Sequence, residues 1–332
     1  MVYIYKKVIH GKPYYYLRIS KRIKGKVIVK DIAYLGSDVS KIEGKLDKLP
    51  SMYKEDIKKT YRNIKKFIES EYYLKKVKKL KENPYLDNKL LYELEAIKLH
   101  FNEKFLKLDE KTKEEVFKNF VIDFAFNTTS LEGNTITLEE TNKLLVENLS
   151  PKNKSLREIY DLKNTEKVFF EILNSKKKIS NDFIIKIHDD LLENIDLRKN
   201  YRTGDVRVFR GGFKASFGIY VRKDMGELLE WLEKNKGIDV FILAGMFHQK
   251  FEKIHPFYGG NGRTGRMLMN YMLMRKGYPP LIVRKIRRGD YLDVLKEGNK
   301  ADISDIDIKY YKKLINYLAE EMIDGYWNNF LI

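Results

Sequence analysis

Twelve consecutive residues, His255 to Arg266, hold one imidazole, one carboxamide, two guanidiniums and four glycines. They read His255-Pro256-Phe257-Tyr258-Gly259-Gly260-Asn261-Gly262-Arg263-Thr264-Gly265-Arg266, between an apolar helical pattern at 238–253 and a second one from 263. A glycine-rich loop that opens a helix offers unpaired backbone N–H groups and a positive dipole end to an anion. Gly260 and Gly262 let the backbone come close to such an anion, and Asn261 adds a side-chain amide donor. Arg263 and Arg266, three apart on a helix, can both turn to the phosphates of one nucleotide. His255 at the mouth has an ordinary pKa near 6.5, suited to taking a proton from an attacking hydroxyl at neutral pH. A base beside a polyphosphate clamp implies phosphoryl or nucleotidyl transfer, in which positioning and charge stabilisation do most of the catalysis. A lone histidine or a lone glycine cluster would read as an ordinary helix end; the combination within twelve residues reads as a site.

The elements that must hold this loop are mainly helical. Apolar residues recur at three- and four-residue spacing over 54–80, 88–108, 111–131, 137–148, 155–174, 180–194, 224–235, 238–253, 263–276, 288–298 and 305–325, with Asn83-Pro84 as a break. Two regions depart from that period. Residues 2–8, 14–20 and 26–35 are rich in β-branched and aromatic residues around His10-Gly11-Lys12-Pro13 and Lys24-Gly25, which predicts a small antiparallel meander. Residues 203–222 carry two alternating apolar runs about Gly211-Gly212, a hairpin pattern inside a helical domain.

The loop resembles the signature of the Fic family, His-x-Phe-x-Asp/Glu-Gly-Asn-Gly-Arg-x-x-Arg, at seven of its eight specified positions. The resemblance extends from about residue 110 to 325. It implies a mainly α fold: a helical Fic core with a β-hairpin flap, beside the small amino-terminal meander. The corresponding division is a meander at 1–46, a helical extension at 47–109, and a Fic domain at 110–332 with an inhibitory helix (111–133), a flap (203–222) and a catalytic loop (255–266). The resemblance further implies a protein adenylyltransferase that moves AMP from ATP to a Ser, Thr or Tyr hydroxyl of a protein, the chain itself included. In that reading His255 is the base, Gly260, Asn261 and Gly262 hold the α-phosphate, and Arg263 and Arg266 the outer phosphates. Tyr291 and Asn299 fall where the family meets the adenine end, and the target protein docks on the flap by strand addition.

The departure is Gly259, which stands where the family has an acid that ligates Mg²⁺. A Mg²⁺ ion keeps several waters and needs few carboxylates besides the phosphates, so the expectation is ATP with a weakly held Mg²⁺. The alternative is a catalytically weakened module that binds nucleotide or a partner. Upstream, Thr128-Thr129-Ser130-Leu131-Glu132-Gly133 is similar to the family's inhibitory motif, Ser/Thr-x-x-x-Glu-Gly/Asn. An acid at a helix C-terminus opposes the macrodipole and calls for a nearby cation; the resemblance implies Arg266, taken from the outer phosphate by Glu132. In similar enzymes the same Glu supports removal of AMP.

Composition narrows the rest. The absence of Cys excludes disulfides, zinc–thiolate sites and Cys nucleophiles. No signal-peptide pattern and no membrane-length apolar stretch is found, so a cytoplasmic protein without a membrane partner is expected. Lys plus Arg number 65 against 47 for Asp plus Glu, a net charge of +18. A solvated surface is favoured as the reading of that charge over a nucleic-acid footprint, although Arg18, Lys21, Arg22, Lys26 and Lys30 with interleaved Tyr form a basic strand face. Self-association stays open.

Overall fold

The computed structural model describes residues 1–207 and 213–331. It opens with three antiparallel strands in the order β1-β2-β3: β1 (Val2–Ile9), β2 (Lys12–Ile23) and β3 (Lys26–Gly36). Both connections are two-residue turns, His10-Gly11 and Lys24-Gly25, with positive φ at each residue. That is the turn whose twist matches the flanking strands.

Thirteen α-helices follow among the described residues: α1 (Ile42–Leu46), α2 (Ser51–Lys59), α3 (Tyr61–Lys76), α4 (Asn88–Glu103), α5 (Glu110–Leu131), α6 (Leu138–Val146), α7 (Leu156–Asn174), α8 (Asn181–Leu191), α9 (Val221–Lys234), α10 (Val240–Ile254), α11 (Asn261–Met274), α12 (Arg288–Gly298) and α13 (Ile308–Asn329). Their starts are set by local chemistry. Asp109, Ser180 and Asp239 accept backbone N–H groups at the heads of α5, α8 and α10, and α6 and α7 begin with reciprocal Thr137–Glu140 and Ser155–Glu158 capping boxes.

Two apolar cores result. The smaller joins Val2, Ile4, Tyr15 and Leu17 of the sheet to Ile42 of α1 and Ile64 and Ile68 of α3. The meander's core thus runs across the division expected at residue 46. The larger core is built around α10 and α11: Phe241–Phe251 and Asn261–Leu273 are buried without interruption, with α5, α7, α8, α9, α12 and α13 packed around them. A helix apolar on all sides belongs at such a centre. At Gly245 an added Cβ would lie 2.6 Å from the Ile315 side chain of α13, so the glycine sets how closely α10 and α13 approach.

The hairpin expected at 203–222 lies partly outside the described residues. Its turn, Gly211-Gly212, lies outside the described residues, and among those described strand pairing is limited to Phe213. Gly218–Tyr220 is a 3-10 turn and α9 begins at Val221. Side chains tie the described ends of the segment: Asp205 accepts the Gly218 N–H at 2.7 Å, and Arg202 donates to the carbonyls of Gly204 (2.8 Å) and Ser216 (2.6 Å). No helix among the described residues is long and apolar enough to cross a membrane.

Candidate functional site

The chain leaves α10 at His255, whose backbone is left-handed (φ 54°, ψ 61°), and enters α11 through Gly260, also left-handed (φ 75°). The six-residue loop between the helices is tied from several sides. Asn261 accepts the Phe257 N–H and donates to the Phe257 carbonyl, both at 2.9 Å. His188 of α8 stacks on Phe257 and donates from Nε2 to the Gly259 carbonyl at 3.1 Å. Arg202, 1% exposed, donates to the carbonyls of His255 (2.7 Å) and Ile254 (3.2 Å) in addition to those of Gly204 and Ser216. A buried guanidinium there satisfies the orphan carbonyls at the C-terminal end of α10.

Over the N-terminus of α11 lies a cavity of about 200 Å³ lined by His255, Gly259, Gly260, Asn261, Gly262 and Arg266, with Glu132, Glu252, Arg288, Tyr291 and Asn299 around them. That volume is below the roughly 300–1,000 Å³ of ordinary small-molecule sites. Glu132 explains the shortfall, because its Oε1 lies 2.1 Å from where a Cβ on Gly262 would be. The carboxylate therefore sits on the backbone that the loop would present to a phosphate. It is delivered by the end of α5, where Gly133 (φ 107°) closes the helix with 3.1 Å bonds from the Gly133 N–H to the Ser130 carbonyl and from the Asn134 N–H to the Thr129 carbonyl.

Arg266 is the cation that the acid at this helix end requires. It donates to Glu132 Oε1 at 2.8 Å, to Thr128 through Oγ1 (2.8 Å) and the carbonyl (3.0 Å), and to the Tyr291 hydroxyl at 3.4 Å. Desolvation raises the Glu132 pKa, but Arg266, with Arg263 and His255 beyond, outweighs it and holds the acid below the usual carboxylate range. The Glu132 side chain is still 42% exposed, facing the solvent of the cavity while protein surrounds its stem. Burial pushes the His255 pKa down, so the ring is neutral at neutral pH. Burial pushes Glu252, one turn earlier on α10, up to about 8, and Glu252 Oε1 has no hydrogen-bond partner.

A Fic/DOC family model matches residues 178–273, the span from the turn before α8 to the end of α11. The chain carries a Fic/DOC domain. It is 32% identical over 188 residues to the protein adenylyltransferase fic-1 of Caenorhabditis elegans, covering 54% of this chain and 37% of that protein. It is 28% identical over 227 residues to the protein adenylyltransferase Fic of Nematostella vectensis, covering 67% of this chain and 51% of that one. The chain thus spans about half or less of these curated relatives. Among solved structures, the aa134–508 fragment of C. elegans Fic-1 superposes with a TM-score of 0.61 at 26% identity, over 72% of this chain and 70% of the fragment. A Fic-domain-containing signaling protein of Bacteroides thetaiotaomicron shares the fold at a TM-score of 0.64 and 24% identity, over 70% of this chain and 94% of that one.

Within this Fic domain, Arg263 and Asn261, both assigned to phosphate from the sequence, have protein partners. Arg263 is buried against Asp161 of α7 and does not line the cavity. Three positions after Gly260 its side chain faces the packed side of α11, where burial raises the Asp161 pKa and the Arg263 charge opposes the rise. Asn261 spends its amide on Phe257 and braces the loop. Tyr291 and Asn299 do line the cavity; Tyr291 also bonds His248 Nε2 at 2.6 Å, and Asn299 accepts from Gln249 at 3.1 Å. Sequence reasoning missed Arg202, His188, Glu252 and Arg288. Only Glu252 gave a signal, as the one acid within α10, three residues before His255. The Arg288 guanidinium donates to the Leu131 carbonyl at 3.1 Å and brings a second positive charge to the cavity.

Proposed function

We propose that the protein is a self-inhibited adenylyltransferase that transfers AMP from ATP to a Ser, Thr or Tyr hydroxyl of a protein, itself included. The observation that carries this reading is one cavity holding His255, the free N-terminus of α11 and Arg266, with Glu132 seated on Gly262. The α-phosphate would lie on the Gly260–Gly262 backbone, the outer phosphate on Arg266, and the adenine end toward Tyr291 and Asn299. His255, neutral because it is buried, would take the proton of the incoming hydroxyl as its oxygen attacks the α-phosphorus and pyrophosphate leaves. Glu132 must first release Arg266. With AMP on a target, the same carboxylate would orient water for AMP removal.

The cavity supplies no ready set of metal ligands: Gly259 has no side chain, Glu132 is held by Arg266, and Glu252 keeps its proton to about pH 8. No cluster of three His, Asp or Glu is found among the described residues. A Mg²⁺ ion arriving with ATP would be held by phosphates and waters. Gly259 favours a second reading, a nucleotide-binding module of low activity. Nothing lies within 4 Å of a Cβ added there, so a side chain can start from that position without displacing a neighbour.

Labelled ATP tests both readings. Label should enter the protein or an added target, vanish in His255→Ala while nucleotide binding persists, and increase in Gly259→Asp at limiting Mg²⁺. Label retained in His255→Ala removes the mechanism; binding without transfer, even in Gly259→Asp, selects the module.

A further inference from the structure

We propose that the outer face of the amino-terminal sheet binds single-stranded nucleic acid, with Tyr5, Tyr16 and Tyr34 as a stacking platform and the β2–β3 hairpin as a basic arm along the phosphates. Strand alternation sends Val2, Ile4, Tyr15 and Leu17 to the small core, which puts the intervening side chains on the opposite face. The register aligns Tyr5 with Tyr16 and Tyr16 with Tyr34, one ring per strand across the sheet. Tyr16 and Tyr34 have centroids 5.2 Å apart, and the Arg18 guanidinium lies 3.4 Å over the Tyr5 ring. Tyr34 is 53% exposed. The sequence showed the tyrosines only as interleaved with cations; the register makes them one row.

Charge selects the occupant. Residues 1–36 carry nine Lys and Arg against one Asp, so about a tenth of the chain holds +8 of its net +18. The basic residues continue past the third strand: β1 ends its pairing at Val2 opposite Ile19, while β2 and β3 run on as a two-stranded arm to the Lys24-Gly25 turn. Lys21, Arg22, Lys24, Lys26 and Lys30 are exposed along it. A second copy of this face would meet it with the same sign of charge, which opposes self-association, whereas a polyanion with exposed bases matches both the charge and the rings. Duplex bases are stacked inside the helix and cannot reach the rings. This inference does not depend on the activity of the Fic domain.

Anisotropy of fluorescein-labelled single-stranded RNA, single-stranded DNA and duplex DNA, titrated with the full chain at several salt concentrations, tests it. One or both single strands should bind more tightly than the duplex, with a log–log salt slope of about −0.7 per phosphate engaged. Tyr34→Ala should weaken binding roughly fivefold or more at an unchanged slope, and Tyr34→Phe should restore it. Lys24→Glu with Lys26→Glu should lower both affinity and slope, while the same reversals at exposed Lys152 and Lys176 should leave them unchanged. All these are surface positions, and a melting curve checks that each variant is folded. Equal affinity for duplex, indifference to Tyr34→Ala, loss of binding from the distant pair alone, or a change of oligomeric mass in Tyr34→Ala would each overturn the proposal.

Discussion

At the scale of residues, the cavity sets two acids around one guanidinium. Glu132 is ionised and paired with Arg266, whereas Glu252, enclosed by α10 and α11 with Oε1 unbonded, holds its proton to about pH 8. A carboxyl whose folded pKa lies above its unfolded value of 4.5 contributes stability that is fully present below pH 4.5 and is lost as pH rises through about 8. Above that, the folded state carries a poorly solvated anion. Glu252→Gln removes the titration while keeping the shape. Its melting temperature should therefore exceed that of the wild-type protein at pH 8 and approach it near pH 5. Parallel pH curves for the two proteins would show that Glu252 is ionised in the cavity at neutral pH. Glu132 behaves in the opposite sense: its pKa is held down, so mild acid leaves its pairing with Arg266 in place.

At the scale of elements, the loop works because it is clamped where α10 stops. Arg202 alone reaches four carbonyls, at His255, Ile254, Gly204 and Ser216, joining the 255–260 loop to both described sides of the 203–217 segment. Arg202→Ala should destabilise the fold by about 3 kcal/mol or more, since several buried acceptors lose a charged donor at once. Urea unfolding measures this, and a loss below about 1 kcal/mol would mean that water replaces the guanidinium. The helices themselves were legible from the 3.6-residue period, most ends falling within a few residues of α4 to α13, because each buries a continuous stripe or is buried throughout. The bonds that hold the described ends of the 203–222 segment were not legible, because Asp205 and Arg202 act through long-range side-chain bonds, which leave no periodic trace. The same reason hid the turn of Arg263 toward Asp161: spacing of three on a helix gives neighbouring faces, and only tertiary packing decides which of them meets the cavity. The motif residues His255, Gly260, Gly262 and Arg266 were legible because chemistry and spacing coincide within one short stretch.

At the scale of the whole molecule, residues far apart in sequence meet at one point: the end of α5 brings Glu132, the start of α11 brings Gly262 and Arg266, and α12 brings Tyr291. In the function proposed above, Glu132 and a nucleotide phosphate compete for Arg266. Glu132→Gly removes the competitor and opens the space over Gly262, leaving Arg266 bonded to Thr128 and Tyr291. A ligand that binds only the folded state stabilises it by RT ln(1 + [L]/Kd), about 2.7 kcal/mol at a hundredfold excess over Kd. For a chain of this size that is a rise of several degrees. The decisive measurement is melting temperature against ATP concentration for wild-type protein and Glu132→Gly side by side. A steady rise is expected for Glu132→Gly, with little response from the wild type over the same range. Equal shifts in the two proteins, or none in either, would contradict it.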